Sequence, residues 1–305
     1  MQHVVTGGAG FIGSHLVDSL IGSGKNTAII DNLSTGNHLN KKAKFFKKDL
    51  RIKSDIGIGS GAVIYHLAAN PDVKSSATDT VEHFRSDVLT TINLMELARK
   101  RDASKVIFTS SSVVYGENPV LPTPETAQLK PISNYGIFKL FCEMIIEHYS
   151  SMYGIGYAIL RFANVTGGRS EHGIVHDFVK KLRDNPGRLE ILGNGRQSKS
   201  YIYYDDAVSA LISASKLKNN ECFNIGSRDT ISVTEIAKAV SKAAGAKPEF
   251  IYMDRMDGRG WIGDVRKMRL SIKKAESLGW KPSRTSKQAI KLSAADAIKN
   301  FKGKV

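Results

Sequence analysis

Thirteen residues at the start of the chain limit its fold more than any others. Residues 2–6, QHVVT, form a short apolar run that ends in Gly7-Gly8-Ala9-Gly10-Phe11-Ile12-Gly13. The chain continues into SHLVDSLIGSG, where apolar side chains recur at the 3.6-residue period. Strand, glycine turn and helix in that order open a βαβ unit. Gly7 suits the tight turn, Gly10 a close approach of backbone to a pyrophosphate, and Gly13 the packing of helix on strand. The first N–H groups of the helix and its positive dipole end then face the phosphates. The spacing is Gly-x-x-Gly-x-x-Gly, looser than the commonest dinucleotide fingerprint.

The following segments fit the same plan. The strand TAII ends in Asp31, eighteen residues past Gly13. An acid there accepts hydrogen bonds from both adenosine ribose hydroxyls and repels a 2′-phosphate, which favours NAD over NADP; capping of the turn in DNLSTGN is the plainer alternative. Phe45–Lys48 reads as a third strand ending in Asp49-Leu50, beside the adenine edge, and residues 52–61 read as loop. The run AVIYHLAA (62–69) reads as a strand whose alanines leave room for a dinucleotide, with His66 packed and without chemistry. An amphipathic helix is expected over about 78–100, then a strand over 105–112. That strand sets Ser110, Ser111 and Ser112 in the crevice where open parallel sheets bind ligands.

A helix from Tyr135 to about 153 places Tyr135 and Lys139 four residues apart, on one face. A phenol ionises near pH ~10, and an adjacent ammonium lowers that by Coulomb attraction. Tyr135 then suits proton removal from a sugar or alcohol hydroxyl, although this spacing also arises by accident on solvated helices. With a strand over 157–165, the alternation predicts a doubly wound parallel-sheet α/β domain of six or more strands. The remaining 140 or so residues read as a smaller, more irregular α/β region, with helices near 174–184, 205–217 and 232–244 and two more at the end.

Bulk properties agree with a soluble enzyme. The 305 residues are 41% hydrophobic and 24% charged, with no long apolar run and no signal-peptide layout at the N-terminus, so the cytoplasm is the expected compartment. Cys142 and Cys222 lie outside any metal-ligand spacing and read as buried small hydrophobes; no metal is expected. The net charge is +15. From Arg266 onward, 12 Lys/Arg face only Glu276 and Asp296, giving +10 in the last 40 residues. Solvated helix faces and attraction for a nucleotide explain this better than nucleic acid, because no aromatic stacking cluster accompanies the lysines.

The ordered set TGGAGFIG, DNLSTG, HLAA, SSSVVYG, YGIFK and RFANVTG resembles the extended short-chain dehydrogenase/reductase family, most closely its UDP-glucose (UDP-galactose) 4-epimerase and NDP-sugar epimerase branch. The likeness continues through ILGNGRQSKSYIYYDDAVSAL, FNIGS, DGRGWIGDV and LGWKP, nearly the whole chain. It implies a Rossmann NAD-binding domain over 1–163, with some later segments returning to it, and a sugar-nucleotide-binding domain over 164–305. NAD is implied to contact Gly7, Gly10, Phe11, Ile12, Gly13, Asp31, Asn32, Ser34, Gly36, Asp49, Leu50, Leu67, Ala68, Ala69, Tyr135, Lys139 and Phe162. Ser111, Tyr135 and Lys139 stand as the catalytic set, and Ser111, Ser112, Asn164, Lys199 and Arg259 as contacts to a UDP-sugar. Arg259 matches an Arg that clamps the diphosphate, a task suited to a planar cationic fork.

The implied activity is reversible oxidation at the sugar C4 through a 4-keto intermediate, interconverting UDP-glucose and UDP-galactose, in a homodimer built on the helices near 78–100 and 135–153. A UDP-glucuronate decarboxylase and an epimerase for N-acetylated or uronic UDP-sugars are the alternatives among enzymes. An RNA-binding relative of the family is the alternative from another class. Three departures stand out. Lys199-Ser200 replace the usual Arg-Asp, putting one bidentate anion contact in question. Asp87 stands where many relatives have Asn, and Ser271 replaces a frequent Asp; both read as structural. The Asp-Glu pair of the family's 4,6-dehydratases is Ser112-Val113 here, which disfavours dehydration.

Overall fold

The computed structural model describes residues 1–73, 75–254 and 257–302. The chain divides into two compact units. The first comprises residues 1–114, 133–161 and 208–223, and the second residues 115–132, 162–207 and 224–305.

The first unit opens with β1 (Gln2–Thr6), α1 (Phe11–Gly22), β2 (Asn26–Asp31), β3 (Lys44–Lys47) and β4 (Val63–His66). It continues with α2 (Thr80–Phe84), α3 (Thr90–Lys100), β5 (Lys105–Ser111), α4 (Asn134–Tyr153) and β6 (Gly156–Phe162). The sheet has seven strands in the order β11-β6-β5-β4-β1-β2-β3, where β11 is Glu221–Ile225. From β3 to β5 every pairing is parallel. Chain order reverses beside β1, whose neighbours are β2 and β4, so β1 and its glycine turn flank the switch point where such sheets bind ligands. Val4, Val5, Ala28, Ile29, Ile64, Val106 and Ile107 are fully buried. Continuous apolar runs of this kind fit strands covered on both faces.

Three expected elements differ. Only Val63–His66 of the run 62–69 is strand; Leu67 and Ala68 turn away because their N–H groups bond to the Thr6 hydroxyl, each at 3.2 Å. The helix over 80–100 contains a π turn, Arg85–Leu89. The Thr90 hydroxyl donates to the Arg85 carbonyl at 3.2 Å and the Thr91 hydroxyl to the Asp87 carbonyl at 2.7 Å, and such side-chain competition for carbonyls distorts the ladder. The strand expected over 157–165 breaks at Ala163, whose N–H bonds to the Ile225 carbonyl at 2.7 Å. Residues 164–166 instead form β7 in a second sheet. Cys142 is buried as expected, whereas Cys222 is half-buried; both are free thiols.

The second unit contains β7 (Asn164–Thr166), α5 (Ile174–Asp184), β8 (Arg188–Leu192), β9 (Ser198–Lys199) and β10 (Tyr201–Tyr203), followed by α6 (Tyr204–Ser215), which runs into the first unit. Beyond β11 lie β12 (Ile231–Ser232), α7 (Val233–Ala244), β13 (Glu249–Met253), β14 (Lys267–Met268), α8 (Lys273–Ser277) and α9 (Ser286–Lys302). Helices α5, α7 and α9 bury Phe178, Leu182, Ile236, Val240 and Ile290 around Leu189 and Ile191 of β8. Ser232 and Glu235 close α7 with a reciprocal capping box. Among the described residues no helix is long and apolar enough to cross a membrane.

Candidate active site

The glycine turn is built for close backbone approach. Gly7 has φ +66°, and a Cβ there would lie 2.8 Å from the Ala68 nitrogen; a Cβ on Gly13 would lie 2.1 Å from the Gly7 carbonyl oxygen. Helix α1 starts at Gly10 with no side-chain cap, and Phe11, Ile12 and Gly13 form its first turn. The end of the helix therefore presents N–H groups to an anion. At the tip of β2, Asp31 accepts from the Ala9 N–H at 2.9 Å and from the Leu33 N–H at 2.8 Å. An ionised carboxylate has about four lone-pair sites, so half of its capacity stays open for ribose hydroxyls.

The loop after Asp31 lies against this turn. The His38 N–H bonds to the Ala9 carbonyl at 3.1 Å, and a Cβ on Gly36 would lie 2.4 Å from the same oxygen. Asn32 accepts from the Ser34 N–H at 3.0 Å and donates to Asp49 at 3.3 Å. Hydrogen bonds from Arg51 hold the Asp49 carboxyl down at about 2. Leu50 follows in the core, Leu67, Ala68 and Ala69 follow β4, and Phe162 ends β6 as a buried side chain. An uncapped helix end, a backbone cradle closed to any Cβ and a half-used carboxylate together fit an adenine dinucleotide.

Tyr135 and Lys139 lie one turn apart in α4, whose first turn is fixed by the Ser133 hydroxyl accepting from the Gly136 N–H at 3.2 Å. The Lys139 ammonium is buried, 5.6 Å from the centre of the Tyr135 ring and 5.1 Å from that of Phe108. Ser111 stands at the end of β5, and its side chain favours the ionised form of the Tyr135 phenol against the larger effect of burial. Burial pushes the phenol above its ordinary value; Lys139 opposes this in the expected direction but does not outweigh it. Burial also works against the charged form of Lys139, yet Tyr135 and Asp87 raise it overall, so the ammonium stays charged. Ser112 is buried at the start of the short helical turn Ser112–Tyr115. His66 is packed: its Nδ1 is 2.9 Å from the Thr6 hydroxyl and its Nε2 3.0 Å from that of Thr91, and burial drops its pKa to about 3.

Behind this trio lies a buried ionic cluster that sequence reasoning missed. Glu143, four residues after Lys139 on α4, accepts from the Arg161 guanidinium, from Nη2 at 2.7 Å and from Nε at 3.1 and 3.2 Å, and from the Ser110 hydroxyl. The i+4 spacing from Lys139 to Glu143 was the one signal available.

In the second unit, Arg259 donates to Glu117 at 2.6 Å, and Arg266 donates to the same carboxylate at 3.0 Å. Lys199 pairs with the buried Asp264 at 2.6 Å and lies 5.5 Å from the Trp261 ring centre. Asn164 donates from Nδ2 to the Ser200 carbonyl at 3.2 Å, leaving its Oδ1 to accept elsewhere. Glu117 had no motif to mark it, and Trp261 and Asp264, although inside DGRGWIGDV, were assigned no role from the sequence.

A doubly wound sheet with a pyrophosphate cradle at its switch point, and a hydroxyl, phenol and ammonium grouped at β5 and α4, defines a dinucleotide-dependent enzyme of the short-chain type. The chain belongs to the NAD dependent epimerase/dehydratase family, whose model matches residues 3–226. It is similar to a crystal structure of a UDP-galactose 4-epimerase, with TM-score 0.90 and 40% identity over 99% of this chain and 100% of the other. It is also similar to the UDP-glucose 4-epimerase of Thermotoga maritima solved with UDP-glucose, with TM-score 0.89 and 34% identity over 99% and 100% of the two chains. A UDP-glucose 4-epimerase from Mycolicibacterium smegmatis is 35% identical over 302 residues, 92% of this chain and 94% of that one.

Proposed function

We propose that the protein interconverts UDP-glucose and UDP-galactose by reversible oxidation at C4. The observation that carries this reading is the grouping of Ser111, Tyr135 and Lys139 in the unit that holds the dinucleotide cradle. NAD supplies the acceptor, and then the donor, of the hydride at C4. Tyr135 takes the proton of the C4 hydroxyl, Ser111 holds that oxygen by hydrogen bonding, and Lys139 stabilises the phenolate that takes part. When the hydride returns on the opposite face of the 4-keto sugar, Tyr135 gives its proton back, so no proton is consumed per turnover.

The first unit binds the dinucleotide and the second the sugar nucleotide. Arg259, Lys199 and Asn164 contact the nucleotide end, with Glu117 and Asp264 holding the two cations in place. Supporting this, an Arg fork and a Lys lie in a unit whose basic excess suits a substrate with two negative charges. The assembly is a homodimer. Val81, Phe84, Phe141 and Met144 on α2 and α4 are exposed, and Phe84, Phe138 and Phe141 form a continuous aromatic run with ring centres 5.8 and 6.5 Å apart. Two free thiols fit a cytoplasmic enzyme.

The test is incubation of purified protein with UDP-galactose and a parallel panel of N-acetylated and uronic UDP-sugars. UDP-glucose should accumulate to equilibrium. Absence of epimerisation on every sugar, together with RNA binding of steep salt dependence, would sink the reading.

A further inference from the structure

Arg266 has no part in the reaction above, yet its guanidinium shares a carboxylate with that of Arg259. Glu117 Oε2 accepts from Nη2 of Arg259 at 2.6 Å and from Nη2 of Arg266 at 3.3 Å, so the two forks stand side by side on one oxygen. Arg266 is anchored further, with its Nε and its backbone N–H donating to Glu117 Oε1 at 3.0 and 3.3 Å. Its place follows from the ladder of β9 and β14. Lys267 pairs with Ser198 and Met268 with Lys199, and the Ser198 N–H bonds to the Arg266 carbonyl at 2.8 Å. Alternation along the strand puts Arg266 on the face of Met268 and Lys199, and Lys267 on the other.

Positive charge on this face is only partly compensated. Lys199 is taken up at 2.6 Å by Asp264, a carboxylate with 3% of its side chain exposed. Glu117, by contrast, offers one negative charge to two guanidiniums. Apart from the bond to Glu117, the side-chain N–H groups of Arg259 have no hydrogen-bond acceptor among the described residues. Asp257 is the remaining acid: it accepts from Nη1 of Arg266 at 2.7 Å and lies 3.8 Å from Nη1 of Arg259, but 79% of its side chain is exposed. Ion pairs at that exposure are weak, so a stronger anion can displace this carboxylate from both forks. Two residues beyond Arg259, the Trp261 Nε1 is a buried donor with no partner among the described residues, a costly state unless something else accepts from it.

We propose, resting on the functional reading above for the class of substrate alone, that Arg266 is a substrate-binding residue whose guanidinium takes the diphosphate of the sugar nucleotide together with that of Arg259. Glu117 is the bridge that sets the two forks side by side. Their Nη2 edges stay on Glu117, and the phosphoryl oxygens replace Asp257 on the Nη1 edges. Two planar forks match phosphoryl oxygens in a way that the point charge of Lys199, already paired with Asp264, does not.

The experiment is calorimetric titration of NAD-loaded Arg266→Gln with UDP, beside KM and kcat for UDP-galactose. The UDP dissociation constant and KM should both rise by about tenfold or more, with kcat little changed. Arg266→Lys keeps the charge without the fork and should recover only part of the loss. Lys267→Gln removes the same charge from the opposite face and should leave UDP binding as in the parent. An Arg266→Gln protein that binds UDP as tightly as the Lys267→Gln protein overturns the proposal. In a Glu117→Gln background, Arg266→Gln should again weaken UDP by a similar factor. No loss there would mean that Arg266 serves only to neutralise Glu117, and overturns it as well. A protein that loses UDP on Arg266→Gln but epimerises no nucleotide sugar keeps the diphosphate contact and refutes the reading at C4, so the two failures are distinct.

Discussion

Glu143 and Arg161 face each other across α4 and β6 in an ion pair with only 2% and 7% of their side chains exposed. Breaking a buried pair from one side leaves the other charge without compensation, at a cost of roughly 3–5 kcal/mol. Glu143→Leu should lower stability in urea by about that amount. The double variant Glu143→Leu/Arg161→Met should recover most of it, since similar apolar volume replaces both charges. A single variant within about 1 kcal/mol of the parent would mean that the pair is hydrated in solution.

Tyr135→Phe keeps the ring and removes the proton carrier. Turnover should fall by roughly 10²–10⁴-fold, the usual range for a lost general acid–base group. Substrate affinity, read by calorimetry with UDP-galactose, should change little. Near-normal turnover would remove Tyr135 from the role of base.

The phenol of Tyr135 is raised in this structure, so activity should increase from neutral toward alkaline pH until the folded protein loses Lys139 as a charged partner. A kcat profile that is flat through the alkaline range would contradict that placement of the base.

His66 makes stability depend on acid. The unfolded chain takes up a proton at this imidazole below about pH 6.5, whereas the folded protein does so only near 3. Between those values the unfolded state binds more protons, so stability falls as pH falls across that window, by roughly 4 kcal/mol in all. Thermal melts of His66→Gln should show a shallower pH slope between about 6 and 4 than the parent. Parallel slopes would show that other groups, such as the depressed His3, carry the effect.

A methyl group at position 13 cannot be accommodated by side-chain movement, because its nearest neighbour is backbone, the Gly7 carbonyl. Gly13→Ala should cost about 2 kcal/mol or more and strip NAD from the purified protein. Mass spectrometry of carried-over nucleotide reads this directly, and full NAD content in a folded variant would refute the close approach.

Strands β1, β2 and β5 were readable from sequence because they are short, largely buried apolar runs that end at Gly7, Asp31 and Ser111. The grouping of Tyr135 and Lys139 was readable because helix geometry fixes side chains four residues apart. Other features had no local signature. The π turn leaves the apolar period of residues 80–100 almost intact, since it arises from two threonine hydroxyls competing for carbonyls. The break at Ala163 carries no Gly or Pro. Lys199 and Arg259 were visible as cations, but their carboxylate partners lie 65 and 142 residues away in sequence, so nothing in the spacing revealed that Asp264 and Glu117 hold them.

The chain passes between its two units five times, at residues 114/115, 132/133, 161/162, 207/208 and 223/224. No single cut therefore releases either unit whole. Transfer of the first unit whole into another chain would therefore take three separate segments, residues 1–114, 133–161 and 208–223, with those of the second unit threaded between them.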